Sequence, residues 1–266
     1  QTSGTTGTAR RVVLSRDALR AAAKAARERA GGDLTWHLAL PGRYVAGLMV
    51  QVRSATAGRR TPVVSADLEG LAPTGDGDAI SLVPTQLHRA LKDAAVTKRL
   101  QAFDLILLGG APLDDELRER AGDAGLAVVE SYGMSETCGG VVWDGTPLPG
   151  VGVELRDGRV LIGGPTLFDG YLGDPAATAA VMDDGALLTS DRGCWANGRL
   201  VITGRIDDVI ISGGVNIDLA EVRAAVARLD PETAVLAVPD GEWGQRVVLF
   251  APRGDLGTWR DALSRS

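Results

Sequence analysis

The stretch FDLILLGG, Phe103–Gly110, is a continuous apolar run closed by two glycines. A strand with no polar face has to be covered on both sides, which is the situation of a strand inside a parallel α/β sheet. Its neighbours repeat the same logic. Val12–Leu14 is a short strand-like run, and Ser15 then caps SRDALRAAAKAARERA, which places Leu19, Ala22, Ala23, Ala26 and Ala30 on one helical face before GGD ends it. LTWHLALP reads as a buried strand and VAGLMVQVRSA as an apolar helix. AISLVP is a strand, and TQLHRALKDA is a helix with Thr85 at its start. After FDLILLGG come a helix over 113–122, the strand LAVVE and a turn SYGMSE. This alternation predicts an α/β domain with a largely parallel sheet.

The rhythm changes after Pro147. GVGVELRDGRVLIGG and CWANGRLVITGR each read as strand, Asp-Gly or Asn-Gly turn, strand, the pattern of hairpins in a β-rich subdomain. Beyond Arg205 the chain offers the strand VII, a loop SGGVN, a helix over 218–228 and the strands TAVLAVP and RVVLFAP. That small α+β piece, about 60 residues, is short for independent stability. A domain boundary is therefore expected at Gly204–Asp208.

Charge and composition exclude several classes. A net charge of -6 argues against a nucleic-acid surface driven by bulk charge. No apolar run approaches the roughly 20 residues of a membrane helix, and no charged-then-apolar leader opens the chain, so a soluble cytoplasmic protein is expected. Cys138 and Cys194 lack metal-ligand spacing and read as two buried free thiols. His37, in an apolar strand, and His88, on a helix, read as structural. No G-x-G-x-x-G opens a βαβ unit, which disfavours a dinucleotide-binding dehydrogenase.

Four short stretches carry chemistry. In QTSGTTGTARR, small residues let backbone N–H groups converge on an anion, hydroxyls add donors, and Arg10 supplies a positive charge; a flexible terminal linker has the same composition. SYGMSET follows a sheet strand at its carboxyl end, where α/β proteins bind ligands. There Tyr132 offers a flat face for a purine and Glu136 a carboxylate for Mg²⁺, or else a solvated loop acid. LLTSDRG sets Asp191 in a turn, either as a cap or as an acceptor for two ribose hydroxyls. TGRIDDVIISGGVNI joins an arginine, two acids and a glycine-rich loop, which alone reads as a linker.

In order and spacing these four stretches resemble the signatures of the adenylate-forming superfamily of acyl-CoA synthetases, peptide-synthetase adenylation domains and luciferases. The family's phosphate loop is matched by Thr2, Ser3, Gly4, Thr5, Thr6 and Gly7, with Ala9 in its proline place and Arg10 in its lysine place. Its tyrosine-glycine-x-threonine-glutamate motif is matched by Tyr132, Gly133, Ser135 and Glu136, its ribose aspartate by Asp191, and its Gly-Arg-x-Asp-Asp segment by Gly204–Asp208. Within the superfamily, SLVPTQL, LLGGAPL and SYGMSETCGG are similar to segments of the o-succinylbenzoyl-CoA synthetase branch of menaquinone biosynthesis.

The resemblance implies a parallel-sheet core with a β-rich subdomain, together large domain 1–204, a hinge at 205–208 and a small α+β lid at 209–266. It implies that a carboxylate and ATP give acyl-AMP and pyrophosphate, after which coenzyme A displaces AMP. The partners are thus ATP, Mg²⁺, a carboxylic acid and coenzyme A, with no nucleic acid and no membrane span, and a homodimer is allowed. The implied roles follow. Thr2–Gly7 and Arg10 bind the β- and γ-phosphates, Tyr132 and the turn of Gly109, Gly110, Ala111 and Pro112 sandwich adenine, and Ser131, Gly133 and Ser135 also bind the nucleotide. Asp191 holds the ribose, Glu136 the Mg²⁺, and Arg205 reaches ribose or phosphate. Gly110, Gly133, Met134 and Tyr44 line the acyl pocket, and Asp207 is the hinge.

Two departures stand out. Tyr44 in LPGRYVAG occupies a place where many relatives carry histidine. Lysine occurs only at Lys24, Lys92 and Lys98, so the family's adenylating lysine near the C-terminus has no counterpart, and both ends read as cut. On that reading adenylation is impaired, and capture of a preformed acyl-adenylate by coenzyme A is less affected. Ligases for another aromatic or fatty acid, and a non-catalytic ATP/AMP-binding fragment, are the competing readings.

Overall fold

The computed structural model describes residues 10–230 and 233–252, together with 254, 257 and 259. The chain divides into two compact units. The first runs to Glu154 and adds Leu161–Thr189 and Trp195–Val201; the second takes Leu155–Val160, Ser190–Cys194 and the chain from Ile202 onward.

The first unit opens with β1 (Val12–Val13) and α1 (Arg16–Ala30). The Ser15 hydroxyl accepts from Ala18 N–H, and Gly31, at φ 78°, closes the helix. Then follow β2 (Thr35–His37), α2 (Val45–Thr56), β3 (Asp78–Leu82), α3 (Pro84–Ala90), α4 (Ala94–Leu100), β4 (Leu105–Gly109), α5 (Asp115–Asp123), β5 (Val128–Met134), β6 (Gly139–Trp143) and β7 (Thr146–Pro147). These strands form one six-stranded sheet in the order β2-β3-β4-β5-β6-β7. The pairs from β2 to β5 are parallel, and β6 and β7 extend the sheet antiparallel.

Both faces of the sheet are covered, as the unbroken apolar runs require. Ile80, Leu82, Ile106 and Leu108 pack with Leu87, Leu100, Leu117 and Ala121 from α3, α4 and α5. The alternate residues Ala79, Leu105 and Leu107 pack on the other face with Trp36, Val50, Ala25 and Ala26. Period-two alternation therefore sends both sets of side chains into apolar cores. α1 buries alanines at Ala18, Ala22, Ala23, Ala25 and Ala26, so it lies close to its neighbours. His37 is fully buried, its Nε2 2.7 Å from Asp78 Oδ1, which places it in the core as a structural residue.

The β-rich region adds β8 (Gly152–Arg156), β9 (Arg159–Gly163), β10 (Gly170–Tyr171), α6 (Pro175–Ala180), β11 (Met182–Asp183), β12 (Ala186–Ala196) and β13 (Arg199–Arg205). β11 and β12 pair antiparallel, Met182 with Leu187 and Asp183 with Ala186. The two expected hairpin turns are present, with left-handed pairs at Asp157-Gly158 and Asn197-Gly198.

The second unit continues with β14 (Val209–Ser212), β15 (Val215–Asp218), α7 (Leu219–Leu229), β16 (Ala234–Asp240) and β17 (Gly244–Phe250). Its antiparallel sheet has the order β15-β14-β17-β16, and Ile210, Leu219, Val226 and Val235 form its core. No helix among the described residues is long and apolar enough to cross a membrane.

Two local expectations are corrected. SYGM is not a turn: β5 runs through Met134, because β6 pairs with it across Ser131↔Trp143 and Tyr132↔Val142. Cys138 is buried but Cys194 is exposed, and both are free. On β12 the buried positions are the odd-numbered Leu187, Thr189, Asp191 and Gly193, so Cys194 falls on the open face.

Candidate functional site

The carboxyl end of β4 lies beside the middle of β5, with Gly109 in register with Ser131. A Cβ on Gly109 would stand 3.1 Å from Ser131 O, so glycine permits this close approach. Gly110 then turns the chain off the sheet at φ 85°, a conformation open to glycine at no steric cost. Gly110, Ala111 and Pro112 are exposed beside Ser131 and Tyr132, which are half-buried. The structure thus brings together the two segments expected to flank adenine.

Beyond Tyr132 the pairing with β6 shifts register between Tyr132 and Gly133. At Gly133 a Cβ would come within 2.1 Å of Gly139 O, so this bulged strand has no room for a side chain there. Residues Ser135–Thr137 make a single tight turn. Thr137, fully buried, pins it: its hydroxyl lies 2.7 Å from Gly139 O and 3.1 Å from Met134 O, and accepts from Met134 N–H at 2.9 Å. Cys138 follows in left-handed geometry, and burial, aided by Asp169, pushes its thiol up to about 12.

That turn delivers Glu136 to a buried position, with 7% of its surface exposed. Its backbone carbonyl accepts from Phe168 N–H at 2.9 Å, and its Oε1 accepts from the phenol of Tyr171 at 2.8 Å. Burial, and then the hydrogen bond to Glu136, pushes the Tyr171 phenol up to about 12, so it is an O–H donor at neutral pH. Oε2 has no hydrogen-bond donor among the described residues. A carboxylate with one oxygen held and the other free fits a single-ligand contact to Mg²⁺, which keeps most of its shell as water and phosphate oxygens. No group of three or more His, Cys, Asp or Glu among the described residues forms a protein-only metal cage.

Arg10 sits with its guanidinium carbon 5.1 Å from the centroid of the same Tyr171 ring. Thr2, Ser3, Gly4, Thr5, Thr6 and Gly7 lie outside the described residues. Tyr44 caps the start of α2, is 45% exposed and stacks under Arg43 at 4.8 Å. Met134 is half-buried at the end of β5. Neither Thr137 nor Tyr171 was among the expected site residues. Thr137 closes the stretch SYGMSET; Tyr171, in FDGYLGDP, is 35 residues from Glu136 with no spacing signal to link them.

The second unit carries the remaining candidates. Asp191 is not in a turn; it lies within β12 on its buried face, 7% exposed. Arg205, at the end of β13, donates from Nη1 to Asp191 Oδ1 at 3.1 Å. Asp207 sits in a short 3₁₀ turn, Ile206–Asp208, and Arg223 of α7 pairs with Asp208 at 2.7 Å. The hydrogen bond to Asp207 outweighs partial burial and, with Asp191 nearby, raises the Arg205 pKa further. The SGGVN loop is the tip of the β14–β15 hairpin. There Gly213 N–H donates to Trp243 O at 3.0 Å, and a Cβ on Gly213 would stand 2.4 Å from the Trp243 ring.

Residues 2–172 match the family model described as AMP-binding enzyme. A probable 2-succinylbenzoate–CoA ligase of Mycobacterium tuberculosis (strain CDC 1551 / Oshkosh) is 40% identical over 270 residues, covering 96% of this chain and 70% of the relative. The 2-succinylbenzoate–CoA ligase of Escherichia coli K12 is 34% identical over 246 residues, covering 86% and 53% respectively. Among solved structures, the o-succinylbenzoate coenzyme A synthetase of Bacillus subtilis in complex with ATP and magnesium ion superimposes with a TM-score of 0.85 at 27% identity. That match covers 99% of this chain and 62% of the Bacillus protein, so this chain spans less than two thirds of it.

Proposed function

We propose, from the premise that this chain belongs to the AMP-binding enzyme family, that it takes part in ATP-dependent ligation of a carboxylic acid to coenzyme A, with o-succinylbenzoate as the acid. In the first half-reaction a carboxylate oxygen attacks the α-phosphorus of ATP and pyrophosphate leaves. In the second, the coenzyme A sulfur attacks the acyl carbon and AMP leaves. The observation that carries the reading is Glu136: a buried carboxylate, in the tight turn that follows β5, with one oxygen held by a phenol and the other without a donor among the described residues.

The physical difficulty of the first step is bringing an anionic acid to an anionic triphosphate, so catalysis is mainly positioning and charge neutralisation. Arg10, with the Thr2–Gly7 loop, offsets charge on the β- and γ-phosphates. Tyr132 and the Gly109–Pro112 turn hold the adenine plane, with Ser131, Gly133 and Ser135 at its edge. Asp191 accepts from the ribose hydroxyls, and Arg205 reaches ribose or phosphate. Glu136 would hold Mg²⁺, which would supply charge neutralisation at the phosphate oxygens. Gly110, Gly133, Met134 and Tyr44 shape the acyl pocket. Asp207, in a hinge at 205–208 between large domain 1–204 and lid 209–266, absorbs the dihedral change between the two half-reactions.

The names of the relatives support o-succinylbenzoate as the acid. The test is thioester formation from synthetic o-succinylbenzoyl-AMP and coenzyme A, run beside benzoyl-AMP and a fatty acyl-AMP and followed by chromatography. The expected order puts the o-succinylbenzoyl adenylate first. Equal rates for all three would remove the substrate assignment, and no thioester from any of them would remove the ligase reading.

A further inference from the structure

Tyr171 touches two of the charged groups assigned to the triphosphate, and the fold holds it at several points. Strand β10 is two residues long and pairs with β1 through Val12↔Tyr171 and Val13↔Gly170. Leu172 N–H donates to Arg11 O at 2.8 Å, so this pairing also fixes the chain that carries Arg10. Tyr171 N–H donates to the Thr178 hydroxyl at 2.9 Å, and its ring meets Phe168 edge-on at 5.1 Å. Phe168 in turn donates its N–H to the carbonyl of Glu136. A ring fixed this way puts its hydroxyl on Glu136 Oε1 and its face under Arg10.

We propose that Tyr171 is a positioning residue for the divalent cation. It holds one oxygen of Glu136, so that the carboxylate meets the metal in a single orientation through Oε2, and it seats Arg10 beside the same carboxylate. This inference rests on the reading of Glu136 as the metal ligand. The physical basis is preorganisation: a glutamate free to rotate gives up torsional freedom when it binds a cation, and a phenol already holding one oxygen removes that cost. Hydrogen-bond partners behind metal ligands change affinity by roughly 10–100-fold when lost. The cation–π contact with Arg10 depends on the ring, so Tyr171→Phe keeps that contact while removing what the hydroxyl gives to Glu136 and to Arg10.

The experiment uses Mn²⁺ as the probe, with its binding to the ATP complex read by electron paramagnetic resonance, alongside AMP affinity and the melting temperature of ligand-free protein. Tyr171→Phe is expected to weaken Mn²⁺ binding about tenfold while leaving AMP affinity and melting unchanged. Glu136→Asp, which keeps the charge but withdraws it from the phenol, is expected to show the same loss. The double variant Glu136→Gln with Tyr171→Phe is expected to be no worse than Glu136→Gln alone, because the two residues act as one unit. Unchanged Mn²⁺ affinity in Tyr171→Phe, with a loss in Glu136→Gln, would overturn the inference and leave the metal site standing. A Tyr171→Phe loss of AMP affinity equal to the loss of Mn²⁺ affinity would make Tyr171 merely structural. Unchanged Mn²⁺ affinity in Glu136→Gln would remove the metal-ligand reading itself, and the role of Tyr171 with it.

Discussion

The guanidinium of Arg205 grips the carboxylate of Asp207 with two parallel hydrogen bonds, Nε to Oδ1 at 2.8 Å and Nη2 to Oδ2 at 2.7 Å. Its remaining arm, Nη1, reaches Asp191 at 3.1 Å. One planar cation thus ties the expected ribose aspartate to the expected hinge aspartate within the second unit. Only a fork-shaped group has that reach; a lysine ammonium is a point charge. Arg205→Lys is therefore expected to lower AMP affinity about tenfold, or about 1.4 kcal/mol, measured by isothermal titration calorimetry. Retention of full affinity would show that charge alone suffices there.

The two cysteines should differ sharply in reactivity. The thiolate is the reacting species, and burial pushes the Cys138 thiol up to about 12. Cys194 is exposed on the open face of β12. Iodoacetamide at neutral pH is expected to modify one cysteine in the native protein and both in denaturant, counted by mass spectrometry. Cys194→Ser should leave the native protein unlabelled.

Gly133 and Gly140 oppose each other in the bulged pair of β5 and β6, but they should tolerate substitution differently. At Gly133 the atoms a Cβ would meet are backbone, with Gly139 O at 2.1 Å and Gly140 Cα at 2.7 Å. At Gly140 the nearest are side-chain atoms, Ser131 Oγ at 1.7 Å and Ser131 Cβ at 3.1 Å. Gly133→Ala is expected to cost about 1–3 kcal/mol or more in urea denaturation, with no rescue by a side-chain change. Gly140→Ala should be substantially rescued by Ser131→Gly.

The buried Asp78 gives the first unit an acid limit. Burial pushes its carboxyl upward, but the hydrogen bond from His37 and those from Gly75 N–H and the Thr74 hydroxyl outweigh it, and the net shift is downward. A carboxyl depressed in the folded state contributes stability that is complete above its unfolded value, near 4 (approximately), and is lost as pH falls through the lower folded value. Melting temperature is thus expected to fall as pH drops below about 4. Asp78→Asn should flatten that limb and cost about 1–3 kcal/mol at neutral pH by stranding donors that now converge on the carboxylate. A variant whose acid limb matches the parent would exclude Asp78 as its source.

Much of this architecture was legible because its causes are local. An apolar run such as Leu105–Leu108 admits few environments, and Ser15 ahead of an alanine-rich face caps a helix in most contexts. Asp157-Gly158 and Asn197-Gly198 form hairpin turns because their backbones accept positive φ. Tyr132, Gly133 and Glu136 stand out as a motif in the sequence, but the local conformation of the stretch does not. SYGM looks like a turn by composition, with serine and glycine near polar neighbours, and becomes a strand only because β6 supplies hydrogen bonds along it.

The period of the side chains and the backbone preferences of one or two residues are enough to read the order of elements, the α/β and β-rich regions and the hairpin turns from the chain alone. Packing sets what they leave open: Asp191 faces inward and Cys194 outward along β12, Gly133 is confined by the backbone of β6, and Tyr171 closes on Glu136. A strand's period of two sorts side chains into two faces but leaves open which face is covered. A phenol and a carboxylate 35 residues apart meet only when the 168–171 segment docks on the Ser135–Thr137 turn, through Phe168 N–H on the Glu136 carbonyl.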